Sequence, residues 1–96
     1  MAKTLELKTI KVQEAAPETN YKEFIKACVN YVVIGEGVTA EEQRKRIRIL
    51  DAVEASGEEL VLEDVDAATL KGLVAKMVWS LVSPALVQFC DDVAAM

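Results

Sequence analysis

The run LVAKMVWSLVSPALVQF, residues 73–89, decides how this chain folds. Its only formal charge is Lys76, and most of its other residues are aliphatic or aromatic. Apolar side chains in such a run leave water when the protein folds, because their exposure is unfavourable. The run sits at the lower length limit of a membrane span and contains a lysine, two serines, Pro84 and Gln88, so we expect that it does not cross a membrane.

Residue spacing predicts a helix over positions 65–82, with Asp64 or Asp66 as its N-cap. Apolar residues recur at three- and four-residue steps and form one wide face: Leu70, Leu73, Val74, Met77, Val78 and Leu81. The opposite side is also apolar and consists of Ala68, Gly72, Ala75 and Trp79. A helix with two apolar sides is expected to pack on both. It is either the central helix of the domain or it offers one side, including Trp79, to another chain.

A second helix is predicted to follow the break at Ser83-Pro84. Proline disfavours helical angles at the residue before it, but it suits the first position of a new helix. Ser83 is then the expected N-cap. The buried face of this helix is predicted to consist of Leu86, Phe89, Cys90 and Val93.

The N-terminal sequence KTLELKTIKVQ, residues 3–13, alternates between apolar and polar residues like a strand. Leu5 and Leu7 share one face, but the next two apolar residues have the opposite parity. A bulge near Lys8–Thr9 would restore a single buried face, and so would a strand covered on both faces. Residues 14–19 form a polar connector.

Two capping boxes predict two further helices. In the first, Asn20 is the N-cap of a helix that runs to about Ile34, although positions 29–34 are β-branched enough to form a strand instead. Its apolar residues keep helical spacing: Tyr21, Phe24, Ile25, Cys28, Val29 and Val32. In the second, Thr39 caps a helix that runs to Ser56. Its predicted inward residues are Ile47, Leu50 and Val53, with Gln43 and Ile49 at the margin.

The sequence EELVLE, residues 58–63, predicts a short strand that pairs antiparallel with the N-terminal strand. The expected fold is therefore α+β: one domain over residues 1–96, mostly helical with about four helices, and one two-stranded antiparallel β element. The hydrophobic content of 52% argues against disorder, and in so short a chain it favours self-association.

The composition argues against most kinds of catalytic site. There is no histidine, which removes the common Ser-His-Asp and Cys-His arrangements. Cys28 and Cys90 are far apart in sequence, and Gly35-Glu36-Gly37 lacks the pattern of a phosphate-binding loop. The acidic residues near position 60 are expected to be strand ends and helix caps instead of metal ligands: Glu58, Glu59, Glu63, Asp64 and Asp66. We expect neither an enzyme nor a bound cofactor or metal.

The basic run of Arg44, Lys45, Arg46 and Arg48 is the one feature typical of nucleic-acid binding. On a helix these side chains spread over more than half of the circumference, and no aromatic residue lies among them for base stacking. The net charge of −5 also opposes contact with phosphates. The run is expected to be a solvated or salt-bridged helix face, with an acidic protein partner or nucleic acid as alternatives. A ribbon-helix-helix fold is disfavoured by the connector before the first helix.

In size, acidity, low cysteine content and lack of active-site motifs, the chain resembles the small accessory proteins that bacteriophages and prophages encode. The resemblance is one of general style and assigns no residue a role. With no secretion signal recognised at the N-terminus, a reduced, cytoplasmic location is expected.

The leading hypothesis is a non-catalytic protein–protein interaction or assembly module that forms a homo-oligomer or binds another protein. The candidate interface residues come from the apolar run: Met77, Trp79, Leu81, Leu86 and Phe89. The alternative is a small regulator of nucleic acid or of a nucleic-acid-binding protein, which would use the basic run or acidic mimicry. Whether Trp79 and Tyr31 are core or contact residues stays open at this point.

Overall fold

The computed structural model describes residues 2–12, 17–32, 35–79 and 82–96. In chain order its elements are β1 (Ala2–Glu6), β2 (Thr9–Ile10), β3 (Thr19–Asn20), α1 (Tyr21–Asn30), α2 (Ala40–Ala55), β4 (Glu59–Glu63), α3 (Asp64–Lys76) and α4 (Pro84–Ala94). The described part of the chain thus has four helices and a two-stranded antiparallel sheet, which confirms the predicted α+β class. None of the described helices has the length and apolar character that a membrane crossing requires.

The sheet pairs β1 with β4 in antiparallel register, with Leu5 opposite Leu60. Leu5 and Leu60 are buried, as are their same-face neighbours Leu7 and Leu62. The alternation read from the sequence therefore gives the correct inner face. Two strands alone are marginal in water, and this pair is stabilised by the helices packed on that face.

The N-terminal strand is shorter than predicted. β1 ends at Glu6, and the chain then bends so that β2 pairs with β3 instead of extending the first sheet. The Leu7 N–H still donates to the carbonyl of Glu58 at 2.8 Å, so the break lies at the Lys8 position where the sequence changes phase. Gln13 and the connector residues 14–16 lie outside the described residues.

Helix α1 begins as predicted but ends earlier. The Asn20 side chain accepts a hydrogen bond from the Lys22 backbone N–H at 3.0 Å, which satisfies a free donor of the first turn. The helix ends at Asn30, and Tyr31 is extended, so the predicted end near Ile34 is wrong. The β-branched residues that follow lose side-chain freedom in a helix, and this weakens its continuation. Positions 33–34 lie outside the described residues.

Helix α2 confirms Thr39 as the N-cap, whose hydroxyl accepts from the Glu42 N–H at 3.2 Å. Its buried face differs from the prediction. Ile49 and Val53 are fully buried and Leu50 is partly buried, whereas Ile47 is 52% exposed. Leu50 and Val53 lie on the buried side as predicted, but Ile47 points away from it and Ile49, predicted at the margin, lies within it, since residues two apart on a helix point about 200° away from each other.

Helix α3 contacts both strands of the sheet and the other three described helices, so it is the central helix of the fold. It uses one face for these contacts, formed by Ala67, Leu70, Leu73 and Val74. Ala68, Gly72 and Ala75 on the opposite side are exposed, so α3 does not pack on two sides within the described chain.

Both ends of α3 also differ from the prediction. Its N-cap is Glu63, and Asp64 and Asp66 lie in the first turn, where carboxylates interact favourably with the helix dipole. The helix ends at Lys76, six residues before the predicted end at Val82, because Met77 takes an extended conformation.

Helix α4 begins at Pro84, and its N-cap position is Ser83, as predicted. The Ser83 side chain makes no capping hydrogen bond, and its buried hydroxyl has no partner among the described residues. The buried face contains Leu86, Phe89 and Val93, in agreement with the sequence pattern, while Cys90 is partly buried.

A network of side-chain hydrogen bonds connects α4 to the start of α1. The buried Tyr21 hydroxyl donates to the Asp92 carboxylate at 2.7 Å, which also accepts from Gln88 at 2.8 Å and from Lys8 at 3.3 Å. The hydrogen bond from Tyr21 is the main reason why the pKa of Asp92 is lowered. Burial, followed by the hydrogen bond to Asp92, raises the pKa of Tyr21.

We predict that Tyr21→Phe lowers the free energy of unfolding by about 1–2 kcal/mol at neutral pH, because it removes a charge-assisted hydrogen bond. Since folding lowers the pKa of Asp92, its contribution is present above the unfolded value of about 3.9 and is lost as the pH falls through the folded value. The difference between wild type and variant, measured by urea unfolding, should therefore shrink below about pH 4.

The matched control is Tyr31→Phe, because the hydroxyl of half-buried Tyr31 has no hydrogen bond to a described residue. If both variants lose the same stability, or if the loss at Tyr21 is independent of pH, the network does not contribute as described.

Candidate functional site

Trp79 belongs to a cluster of four aromatic rings that joins three parts of the chain. Its ring lies edge-on to Phe24 of α1 at 6.1 Å and to Phe89 of α4 at 6.3 Å between centroids. Phe89 also contacts Phe24 at 5.4 Å and Tyr21 at 5.0 Å. Trp79 is therefore a partly buried residue of the core's margin and not a freely exposed contact.

The other predicted interface residues differ in how deeply they are buried. Leu86 is 4% exposed and Phe89 is fully buried against the rings of Tyr21 and Phe24, so both side chains are buried within the chain. Met77 is partly buried against the core. Leu81 lies outside the described residues.

Three valines near these residues are strongly exposed, and the sequence pattern did not single them out. Val78 is 73% exposed, Val82 is 99% exposed and Val87 is 59% exposed. We call Val78, Val82 and Val87 the valine patch. Val78 was predicted to lie on the buried face of a longer helix, and it is exposed because the helix ends before it.

The placement of Val82 and Val87 at the start of α4 is informative. With Ser83 as the N-cap, Val82 occupies the position before the cap and Val87 the fourth position of the helix. Hydrophobic residues at these two positions often pack against each other as a hydrophobic staple. Here Val82 is almost completely exposed, so the staple is open. The staple pattern is the signal by which the sequence could have marked this surface.

Two of the four residues of the basic run form hydrogen bonds with other parts of the fold. The Arg46 guanidinium donates to the carbonyls of Val29 at 3.1 Å and Tyr31 at 2.6 Å, and it lies 3.6 Å from the Glu42 carboxylate. It thus satisfies carbonyls at the end of α1, where no further helical turn supplies partners. Sequence reasoning assigned Arg46 to a possible contact surface, but its position makes it a structural residue.

Arg48 has a similar role on the opposite side of α2, where it donates through Nε and Nη2 to the Asp66 carboxylate at 3.2 and 3.0 Å. This ion pair joins α2 to the first turn of α3. Arg44 and Lys45 have no hydrogen bond or ion pair within the described part of the chain. Only two of the four basic residues are therefore available for a phosphate or an acidic partner, which weakens the case for nucleic-acid binding.

A shallow hollow of 310 Å³ lies between the end of α1 and the start of α2. Its lining is mostly aliphatic and includes two exposed residues, Val32 and Ile47. Asn30, Gln43 and Arg46 supply its polar side chains, but Arg46 is bound to α1 and the Gln43 amide donates to the Val38 carbonyl at 3.2 Å. The hollow therefore offers few free polar groups to orient a small molecule.

The two thiols are not activated. Burial, with a smaller contribution from nearby Cys90, raises the pKa of Cys28 to about 12. Burial also raises the pKa of Cys90. Because the thiolate is the nucleophilic form, both cysteines are poor nucleophiles at neutral pH and behave as small hydrophobic residues.

The acidic residues near position 60 are dispersed. Within residues 2–12, 17–32, 35–79 and 82–96, no three acidic or thiol side chains are grouped closely enough to hold a metal ion. Asp66 is paired with Arg48, as described above, and Glu59 and Glu63 are exposed at the two ends of β4.

Comparison of the chain with models of protein families, with curated proteins and with solved structures finds no match. The functional interpretation of these residues therefore rests on their positions, exposure and charge.

We predict that Arg46→Gln lowers the free energy of unfolding by about 1–3 kcal/mol, because glutamine is too short to reach both carbonyls and leaves them buried without a charged donor. Arg44→Gln removes the same charge from the same helix and should change stability by less than about 0.5 kcal/mol. Chemical denaturation of both variants tests this. Equal effects would contradict the structural role of Arg46.

Proposed function

We propose that this protein is a non-catalytic assembly module that associates with a second copy of itself through the valine patch. The observation that supports this is the 99% exposure of Val82, together with the exposure of Val78 and Val87, which lie within five residues of it in the chain. Single exposed hydrophobic residues are common on soluble proteins, but neighbouring ones mark interaction surfaces.

The uncharged segment that contains the three valines agrees with this role. Residues 77–90 carry no formal charge, although 28% of the chain is charged. Cores of protein–protein interfaces are depleted in charged residues and enriched in aromatic residues and methionine. Met77 and Trp79, both partly buried, lie beside the patch and would lose their remaining exposure when it is covered.

The exposed area of the whole chain is also suited to self-association. The chain exposes 6095 Å², whereas a compact monomer of 10.5 kDa exposes roughly 5400 Å². The excess of roughly 700 Å² is close to the 800 Å² that each partner buries in an interface of standard size. The chain is also flat, with extents of 39 × 35 × 21 Å, and a flat chain gains proportionally more burial by pairing through a broad face.

A symmetric pair needs no other component, because the same patch on two copies is self-complementary when both are apolar. The general resemblance to phage and prophage accessory proteins supports the same role.

We predict that Val82→Asp raises the dissociation constant of the self-associated form at least about tenfold, since an unpaired carboxylate in an apolar interface is costly. Light scattering after size-exclusion chromatography over a concentration series measures the change. The fold should be unaffected, because Val82 makes almost no contact within the chain.

The matched control is Val65→Asp, which introduces the same charge at another exposed valine, 66% exposed in the first turn of α3. Trp79→Ala is unsuitable as a test of the interface alone, because it also removes ring contacts to Phe24 and Phe89. A wild-type chain that is monomeric at all concentrations would contradict the proposal, and so would equal effects of the two aspartates.

A further inference from the structure

The outward face of the β1–β4 sheet has no covering element within the described chain. The residues on this face are Ala2, Thr4, Glu6, Glu59, Val61 and Glu63, and all six are exposed. Val61 lies in the middle of β4 and is 55% exposed. The inner face of the same two strands is closed by the core, so the two faces of the sheet differ sharply.

Along β4 the outward positions read acid, aliphatic, acid: Glu59, Val61 and Glu63. Residues at alternate positions of a strand point to the same side, so the two carboxylates are separated by roughly 13 Å with the valine between them. Glu6 lies directly opposite Glu59 on the neighbouring strand. With Glu58 and Leu7, these two residues line a hollow of 430 Å³ at the end of the sheet.

Within the described part of the chain, these carboxylates lack the ion pairs that acids on the helices make. Glu6, Glu59 and Glu63 form no ion pair with a described residue, whereas acids on the helices do: Glu42 with Arg46, Glu54 with Lys26, Asp66 with Arg48 and Asp92 with Lys8. Lys3 on β1 has the parity of the inner face. The outward face of the sheet is therefore a negative surface with an apolar centre.

The pair of Glu6 and Glu59 violates a local rule of sheet construction. Like charges directly opposite each other on paired strands destabilise the sheet. Neither residue gains a compensating contact inside the described chain. Local violations without internal compensation are typical of surfaces selected for binding instead of stability.

We propose that this face is a docking surface for a cationic segment of another protein, in which an aliphatic side chain lies between two lysines or arginines. The aliphatic side chain would cover Val61, and the flanking cations would lie against the carboxylates of Glu59 and Glu63. Charge complementarity selects this partner, because a segment of this kind relieves the repulsion between Glu59 and Glu6 as it binds. This surface is separate from the valine patch, so a self-associated form can hold the partner as well.

The test uses the full-length protein and a fluorescent synthetic peptide that repeats the sequence KTVTK, with a peptide that repeats ETVTE as the control. Fluorescence anisotropy at low and high salt measures binding. We expect the lysine peptide to bind, with an affinity that falls as salt rises, and the glutamate peptide not to bind. The double variant Glu59→Gln, Glu63→Gln should weaken binding of the lysine peptide about fivefold or more.

The matched control variant is Glu36→Gln, at an exposed turn residue that has no ion pair with a described residue. It changes the net charge without changing the sheet, so peptide affinity should stay within about twofold of wild type. A loss in Glu36→Gln equal to that of a single Glu59→Gln variant would show that only net charge matters and would overturn the proposal. Equal binding of both peptides would overturn it too.

A second measurement needs no peptide. Because Glu59→Gln removes the repulsion with Glu6, its melting temperature should rise slightly while its affinity for the lysine peptide falls. A substitution that stabilises the fold and weakens binding identifies a binding surface. If Glu59→Gln lowers the melting temperature instead, Glu59 stabilises the fold and the proposal fails. Light scattering of this variant should give the wild-type mass, which separates this result from the proposed self-association.

Discussion

The contact of Trp79 with Phe24 and Phe89 requires α3 to end at Lys76, and much of the remaining structure follows from this constraint. If the helix continued, Trp79 would lie on the same side as the exposed residues Ala75, Gly72 and Ala68, which precede it by about one, two and three helical turns. The extended conformation at Met77 redirects the ring to the core. The same change of direction exposes Val78. Burial of the Trp79 ring and exposure of Val78 are thus two consequences of one helix end.

The charged residues of α2 have a comparable double role. Their number suggests a binding surface. However, cationic side chains on a helix that packs between other elements can also pair with the carbonyls and carboxylates at the ends of neighbouring helices. Arg46 does this for α1 and Arg48 does it for α3. Among the described residues, Lys8, Lys26, Arg46 and Arg48 are paired with acids of the helices, whereas Glu6, Glu59 and Glu63 of the sheet form no such ion pair. The distribution of charge on the surface is therefore more negative on the sheet than the composition alone suggests.

Local rules predicted the parts of this fold that local interactions determine. The N-caps at Asn20 and Thr39 depend on side chains within three residues of the helix start, and the inner face of the sheet depends on the alternation around Leu5 and Leu60. The end of α3 and the buried face of α2 depend on distant residues. In α2, three apolar residues at positions 47, 49 and 50 fit two different faces, and only packing against α1, α3 and β4 selects Ile49. The exposure of Val78 could not be recognised before the end of α3 was known.

Each of the two proposed surfaces has a feature that makes the isolated chain less stable. At the start of α4 the two valines of the open hydrophobic staple stay exposed, and at the end of the sheet two facing glutamates repel each other. A chain of 96 residues buries a smaller fraction of its surface than a larger protein does, so its stability tolerates few such features. Both features are relieved when a partner covers them, one by apolar contact and the other by opposite charge. The difference in chemistry between them means that the valine patch is suited to a second copy of the chain, which has the same apolar surface, whereas the sheet face repels its own copy and is suited to a protein of opposite charge.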